Sequence, residues 1–201
     1  MSPIRRLVLG TGNAGKVEEL RALLADLPIE LVPGSSLAAP PDVVEDADTL
    51  TGNARKKAEA YRAAAGLPAL ADDTGLEVAA LDGRPGVHTA RFAGPDATPA
   101  DNKRKLLDVL DGADDRRARF RTVVALVDDD GRAHTFEGVC EGTITTTPRG
   151  DGGFGYDPLF RPDGHEQTFA EMPSAAKNEI SHRRKALDAL RAFLSEAQNK
   201  A

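Results

Sequence analysis

Four short stretches carry residues whose types and spacing can do chemistry. "LADDTGL" sets two adjacent carboxylates, Asp72 and Asp73, at the end of an apolar run, where burying charge is costly unless a cation or hydrogen-bond donor meets it. Successive strand residues point to opposite faces, so only one of the two faces a given site directly. Such carboxylates can hold a hard divalent cation or take a proton from water. They can equally start a turn, with Asp accepting backbone N–H bonds and Gly75 at positive φ. "GGFGYDP" places Phe154 between glycines and ahead of Asp157, so that a planar ligand could reach an aromatic face; a glycine-rich bend with Phe154 in the core is the plainer alternative. "KNEISHRRKAL" gathers Lys177, His182, Arg183, Arg184 and Lys185 around a helix start. Cations there oppose the helix dipole unless an anion or acceptor compensates, so His182 and Arg183 are candidate ligand contacts, whereas Arg184 and Lys185 fit a solvated face.

The fourth stretch, "LVLGTGNAGKVEEL", lies between an apolar strand and a helix, the geometry that presents backbone N–H groups to an anion. Gly10, Gly12 and Gly15 spell the G-x-G-x-x-G of a dinucleotide fold, and Gly10 to Lys16 spells a P-loop up to its last letter. A dinucleotide site needs an acid near the end of the second strand, but Glu30 starts the strand "IELV". A P-loop needs Ser or Thr after the lysine to meet magnesium, and here that residue is Val17. What survives from the residues alone is a less specific anion turn or an ordinary tight turn with Lys16 in solvent.

The elements that must position these residues follow from periodicity. "IRRLVL" is a strand, and Val17, Leu20, Leu23, Leu24 and Leu27 recur with helical spacing after it. A polar, proline-containing loop follows "IELV". A second helix begins at about Thr49, with Ala54, Ala58, Tyr61 and Ala65 on one stripe. "LPALADDTGLEV" is expected to be strand, sharp turn, strand. A helix carrying Leu106, Leu107 and Leu110 precedes the hairpin "RFRTVVALV", "DDDG", "RAHTFEGVC", whose apolar residues, if exposed, offer a dimer surface. Ser181 is placed to cap a last helix with Leu187, Leu190, Phe193 and Leu194. Helices mixed with hairpins predict an α/β fold with a mixed sheet, and no linker is long enough to separate domains, so residues 1–201 form one domain.

Length and charge bound the function. With 201 residues, 40% of them hydrophobic, the chain can bury a sizeable core. A formal net charge of -6 argues against broad binding to nucleic acid or acidic lipid. The single cysteine, Cys140, allows no internal disulfide and is expected to fill a strand in a reducing cytoplasm. Only "LVL" follows Arg5 and Arg6 before glycine, too short for a signal-peptide core, and no apolar run approaches a membrane span.

Taken together and in order, "TGNAGKVEEL", "NARKKA", "ADDTGLEVAALDGRPGVHTARFAG", "GGFGYDPLF" and "SHRRKAL" resemble the inosine triphosphate pyrophosphatase, or Ham1, family across nearly the whole chain. The resemblance implies an elongated, two-lobed α/β fold with a central mixed sheet flanked by helices and an active site in the cleft between lobes. It implies a cytoplasmic, homodimeric, Mg2+-dependent enzyme that cuts ITP, dITP and XTP between the α and β phosphates, with no nucleic-acid or membrane partner. By position, Thr11, Gly12, Asn13, Ala14, Gly15 and Lys16 hold the triphosphate and Lys57 faces it. Asp73 is the implied general base and a metal ligand, Glu45 the second ligand, and Asp72 their support. Thr74 touches substrate, and Phe154, Gly155, Tyr156, Asp157, Lys177, His182 and Arg183 form the base pocket. Where members often show "EETG", this chain has "VEDA", which leaves Asp46 and Asp48 as alternatives for a share of the Glu45 role. A non-enzymatic nucleotide-binding module is the rival from another class; it needs the lysines more than the carboxylates.

Overall fold

The computed structural model describes residues 4–199, and its chain divides into two compact units. The first comprises residues 1–73, 122–138 and 183–201, the second residues 74–121 and 139–182. In chain order the regular elements are β1 (Arg6–Leu9), α1 (Ala14–Leu23), β2 (Glu30–Pro33), α2 (Leu50–Ala65), β3 (Ala69–Val78), β4 (Pro85–Gly86), α3 (Pro99–Val109), β5 (Arg117–Val127), β6 (Ala133–Ile144), β7 (Phe160–Pro162), α4 (Ser174–Ile180) and α5 (His182–Asn199). The sheet is mixed, in the order β2-β1-β3-β5-β6-β7, with β4 added beside β3. Three strands, β3, β5 and β6, run on from one unit into the other.

In the first unit β1 pairs in parallel with β2, Val8 opposite Val32, and with β3, Val8 opposite Ala69. The crossovers that parallel strands require are supplied by α1 and α2. Helix α2 starts where Thr49 Oγ1 accepts the Gly52 N–H at 3.0 Å and ends at Gly66 with φ 63°, a left-handed cap that glycine adopts without strain. Leu7, Leu9, Leu20, Leu24, Leu70, Val124, Leu126, Leu187 and Leu190 form one apolar cluster. Glu30 opens β2 and pairs with Arg6 in the open, so no acid stands where a dinucleotide fold would hold a ribose.

The second unit has its own core, built from Leu76, Val78, Leu106, Leu110, Phe120, Ile144, Leu159, Phe160 and Phe169. Helix α3 enters through a reciprocal cap: Thr98 Oγ1 accepts the Asp101 N–H, and Asp101 Oδ2 accepts the Thr98 N–H at 3.0 Å. Cys140 is buried in β6, as its sequence context predicts.

Two expectations are corrected. The stretch "LPALADDTGLEV" contains no turn: β3 is one ten-residue strand with Asp72 and Asp73 in its interior. Gly75 is not among the glycines at positive φ. The strand is paired on both sides, and side-chain cations meet the aspartates, so the backbone has no need to bend around them. Nor are the apolar residues of the first hairpin strand exposed, and Ala133, Phe136 and Val139 of the second are half-buried. Phe120 and Val123–Val127 are all buried: β5 is an interior strand, with Arg117 and Arg119 the exposed residues of its first half and its second half buried throughout.

Candidate active site

The glycine turn of the first unit is built by its own side chains. The Gly10 N–H donates to Leu70 O at 2.6 Å, tying the turn to β3. Thr11 Oγ1 accepts the Asn13 N–H, and Asn13 Oδ1 caps α1 by accepting the Lys16 N–H, each at 3.2 Å. The remaining first-turn N–H groups of a helix have no partner within it, and the first turn of α1 carries no acid, so the turn is suited to an anion. A Cβ at Gly10 would lie 2.9 Å from the Tyr61 ring, which is why only glycine lets α2 approach so closely. Gly12, Asn13 and Ala14 are exposed, while Thr11 and Gly15 are half-buried.

Strand alternation sends the two aspartates to different partners. Asp72, 1% exposed, accepts from Arg183 Nη2 at 3.0 Å and lies 3.1 Å from Lys16 Nζ. Arg183 also pairs with Glu19 of α1. Burial disfavours the Asp72 charge, but Lys16, Arg183 and Lys57 outweigh it and hold its carboxyl far below the ordinary range. Asp73 accepts from Asn53 Nδ2 at 3.1 Å, and its Oδ1 lies 3.7 Å from Lys57 Nζ. Lys57 also donates to Glu45 Oε2 at 2.9 Å. Burial, reinforced by the Glu45 charge, raises the Asp73 carboxyl in spite of Lys57 and Lys16. Lys57 responds in the opposite way: burial disfavours its charge, yet Asp73, Asp72 and Glu45 outweigh that and raise it. Burial lowers the Lys16 ammonium.

Of the three acids in "VEDAD", Glu45 is the one brought to Lys57, while Asp46 turns to Lys56 at 2.6 Å. Among the described residues no group of three or more His, Cys, Asp or Glu is arranged to cage a metal. Magnesium does not require such a cage. It keeps several waters and takes one or two carboxylates together with substrate phosphates. Glu45 and Asp73 supply hard carboxylate oxygens that both reach Lys57 Nζ, at 2.9 and 3.7 Å, so the donor set fits a cation of this kind.

The second unit holds the other predicted contacts. Thr74 follows Asp73 in β3 and is half-buried. Gly153 and Gly155 sit at φ 68° and 60°, which folds the loop so that Asp157 Oδ2 accepts both the Phe154 N–H at 2.8 Å and Lys177 Nζ at 2.7 Å. Lys177 Nζ stands 4.9 Å from the Phe154 ring centroid and 5.5 Å from that of Phe169, an ammonium held by a carboxylate and two aromatic faces. His182 stacks on Phe120, 4.7 Å between centroids. Tyr156 is buried and donates to Thr89 O at 3.0 Å. A Cβ at Gly153 would collide with the Asp157 carboxylate as well as straining a left-handed residue. Gly153→Ala is therefore expected to lower stability by about 1–3 kcal/mol, read as a shift in urea midpoint.

The structure thus gathers Lys16 and Arg183 around the Asp72 carboxylate, and brings Lys57 to both Glu45 and Asp73. In the second unit it joins Phe154, Asp157 and Lys177. Arg183, expected with the base contacts, is fixed in the first unit by Asp72 and Glu19. Asn53 and Glu19 were not singled out by sequence. Asn53 stands four residues before Lys57 on α2, hence on the same face, which was the available signal.

A family model described as the Ham1 family matches residues 7–193. The chain belongs to the Ham1 family. Ham1-family relatives include a dITP/XTP pyrophosphatase of Syntrophobacter fumaroxidans, 52% identical over 90% of this chain and 78% of that protein. Another, from Porphyromonas gingivalis, is 50% identical over 95% of this chain and 98% of its own length and carries the same name. Among solved structures, a Ham1 protein from Coxiella burnetii superposes with a TM-score of 0.86 at 42% identity, covering 96% of this chain and all of that one.

Proposed function

We propose that this Ham1-family protein is a magnesium-dependent hydrolase that cuts ITP, dITP and XTP between the α and β phosphates and so clears deaminated purines from the nucleotide pool. The observation that carries the reading is the buried Asp73 carboxylate, 3.7 Å from a lysine, Lys57, that also pairs with Glu45 at 2.9 Å, in the same unit as the Lys16 turn. A site built only to bind a polyanion gains nothing from two carboxylates. The names of the relatives, dITP/XTP pyrophosphatases, point the same way.

Thr11, Gly12, Asn13, Ala14 and Gly15 offer hydroxyl and backbone donors to the phosphates, and Lys16 and Lys57 offer charge. Asp73 takes a proton from water as the water oxygen bonds to the α phosphorus, and the bridging P–O bond breaks with its electron pair leaving on pyrophosphate. Lys16 and Lys57 stabilise the charge that develops on that leaving group. Glu45 and Asp73 would hold a magnesium ion, which when bound supplies charge neutralisation to the triphosphate. Asp72 keeps Lys16 and Arg183 in place. Lys177 and His182 offer donors that suit the 6-oxo group of hypoxanthine and xanthine and oppose the 6-amino group of adenine. An unmatched buried polar group is what makes such sites discriminate.

Product analysis tests this directly. Purified protein is incubated with ITP, XTP, ATP or GTP, with and without magnesium, and products are resolved by ion exchange. Monophosphate plus pyrophosphate from ITP and XTP, with little from ATP or GTP, is the expected outcome. Diphosphate plus phosphate, or no turnover, overturns the reading. The proposal includes a homodimer in the cytoplasm, checked by light scattering and by fractionation. Among the described residues no helix is long and apolar enough to cross a membrane.

A further inference from the structure

Asn53 lies in the first turn of α2 and is 1% exposed. Its Nδ2 donates to Asp73 Oδ2 at 3.1 Å, and its Oδ1 accepts the Ala47 N–H at 3.0 Å. The amide can be assigned in one orientation, because an ionised carboxylate only accepts and a backbone N–H only donates; the flipped amide would mismatch both. The two bonds connect separate pieces of chain. Asp73 is in β3, whereas Ala47 belongs to the irregular segment that carries Glu45, two residues away. Helix α2 is itself fixed at this end by the Thr49 cap, so Asn53 is a rigid spacer. Four residues on, Lys57 approaches the other oxygen of Asp73 and the carboxylate of Glu45.

We propose that Asn53 is a positioning residue that sets the separation of Glu45 and Asp73 by clamping the Asp73 carboxylate and the Glu45 segment to one end of α2. The proposal rests on the function proposed above. It assigns Asn53 no contact with substrate. Its role is to hold Oδ2 of Asp73 so that Oδ1 stays on the Glu45 side, and to stop Glu45 from drifting with its loop.

The test uses two full-length variants and two readouts. Asn53→Leu keeps the branched side-chain shape and removes both bonds. Ala47→Pro removes the accepted N–H and leaves α2 and Asp73 untouched. Steady-state kinetics with ITP are joined by calorimetry with an α,β-imido analogue of ITP, with and without magnesium. Outer-shell partners of metal ligands typically contribute about 10- to 100-fold, and a fall of that size in kcat is expected for Asn53→Leu, with KM rising as magnesium-dependent affinity is lost, together with a smaller fall for Ala47→Pro. Both variants are expected to bind the analogue without magnesium as the unmodified protein does, and to lose the gain in affinity that magnesium brings. Retention of that gain and of kcat in both variants overturns the proposal, and so does a parallel loss of magnesium-free binding, which marks general damage. If Asn53→Leu does not fold, Ala47→Pro decides alone by the same criteria. Failure of the unmodified protein to turn over ITP would instead be a failure of the function proposed above, and the two are told apart by that control.

Discussion

Asp73→Asn is expected to lower kcat for ITP by about 10²- to 10⁴-fold and, in the same protein, to raise the thermal midpoint. On the function proposed above, the first effect follows from loss of the proton acceptor and of one oxygen ligand, while Lys16 and the glycine turn remain to hold phosphate, so that binding is expected to survive in part. The second follows from linkage. Burial and Glu45 raise the Asp73 carboxyl above its unfolded value, so between the two pKa values the native state binds more protons, and stability rises as pH falls through that window. At neutral pH the ionised side chain is therefore a cost to the native state, and the neutral amide removes it. A gain of about 0.5–2 kcal/mol is expected, as when other strained functional residues are replaced. Pyrophosphate release and thermal melts at pH 7 check both halves; near-normal turnover would sink the role given to Asp73.

The opposite behaviour is expected of its neighbour. Asp72→Asn leaves Lys16 and Arg183 without the charge that compensates them, and Arg183 is 1% exposed. Breaking a buried ion pair by removing one partner typically costs about 3–5 kcal/mol. For a chain of this size that is a fall of roughly 10 °C in thermal midpoint. Because Lys16 and Arg183 depress the Asp72 carboxyl against the effect of burial, its contribution is fully present above the unfolded value and is lost only as pH falls through the native one, in strong acid. The gap between Asp72→Asn and the unmodified protein is thus expected to stay constant from pH 8 to pH 5, measured by urea midpoints. A gap below about 1 kcal/mol would mean that Glu19 and solvent already suffice for the two cations.

Much of the site was legible because its residues are local. "GTGNAGK" codes a strand-to-helix turn with its own cap at Asn13, and "NARKKA" puts Lys57 on a helix face that the alanine stripe defines. Alternation along one strand announced that Asp72 and Asp73 would part company. Less legible was what each would meet, since Arg183 lies 111 residues from Asp72 and no local pattern encodes such a pairing. The same gap explains the misread turn in β3. Adjacent aspartates before glycine favour a turn when considered locally, and only the lysines and arginine delivered by α1, α2 and α5 make an extended, buried conformation tolerable. Asn53 escaped notice because a buried amide between a carboxylate and a peptide N–H has no signature in sequence beyond its spacing from Lys57.

Cys140 gives the molecule an internal reporter. It is the chain's sole thiol and is buried in the part of β6 that belongs to the second unit. An aqueous disulfide reagent reaches it only when that unit opens, so the labelling rate under native conditions measures opening there, while openings confined to the first unit leave the thiol silent. With ITP present, slower labelling would convert the proposed occupancy of the Phe154 loop and of Lys177 on α4 into a clock reading, without any substitution in the protein.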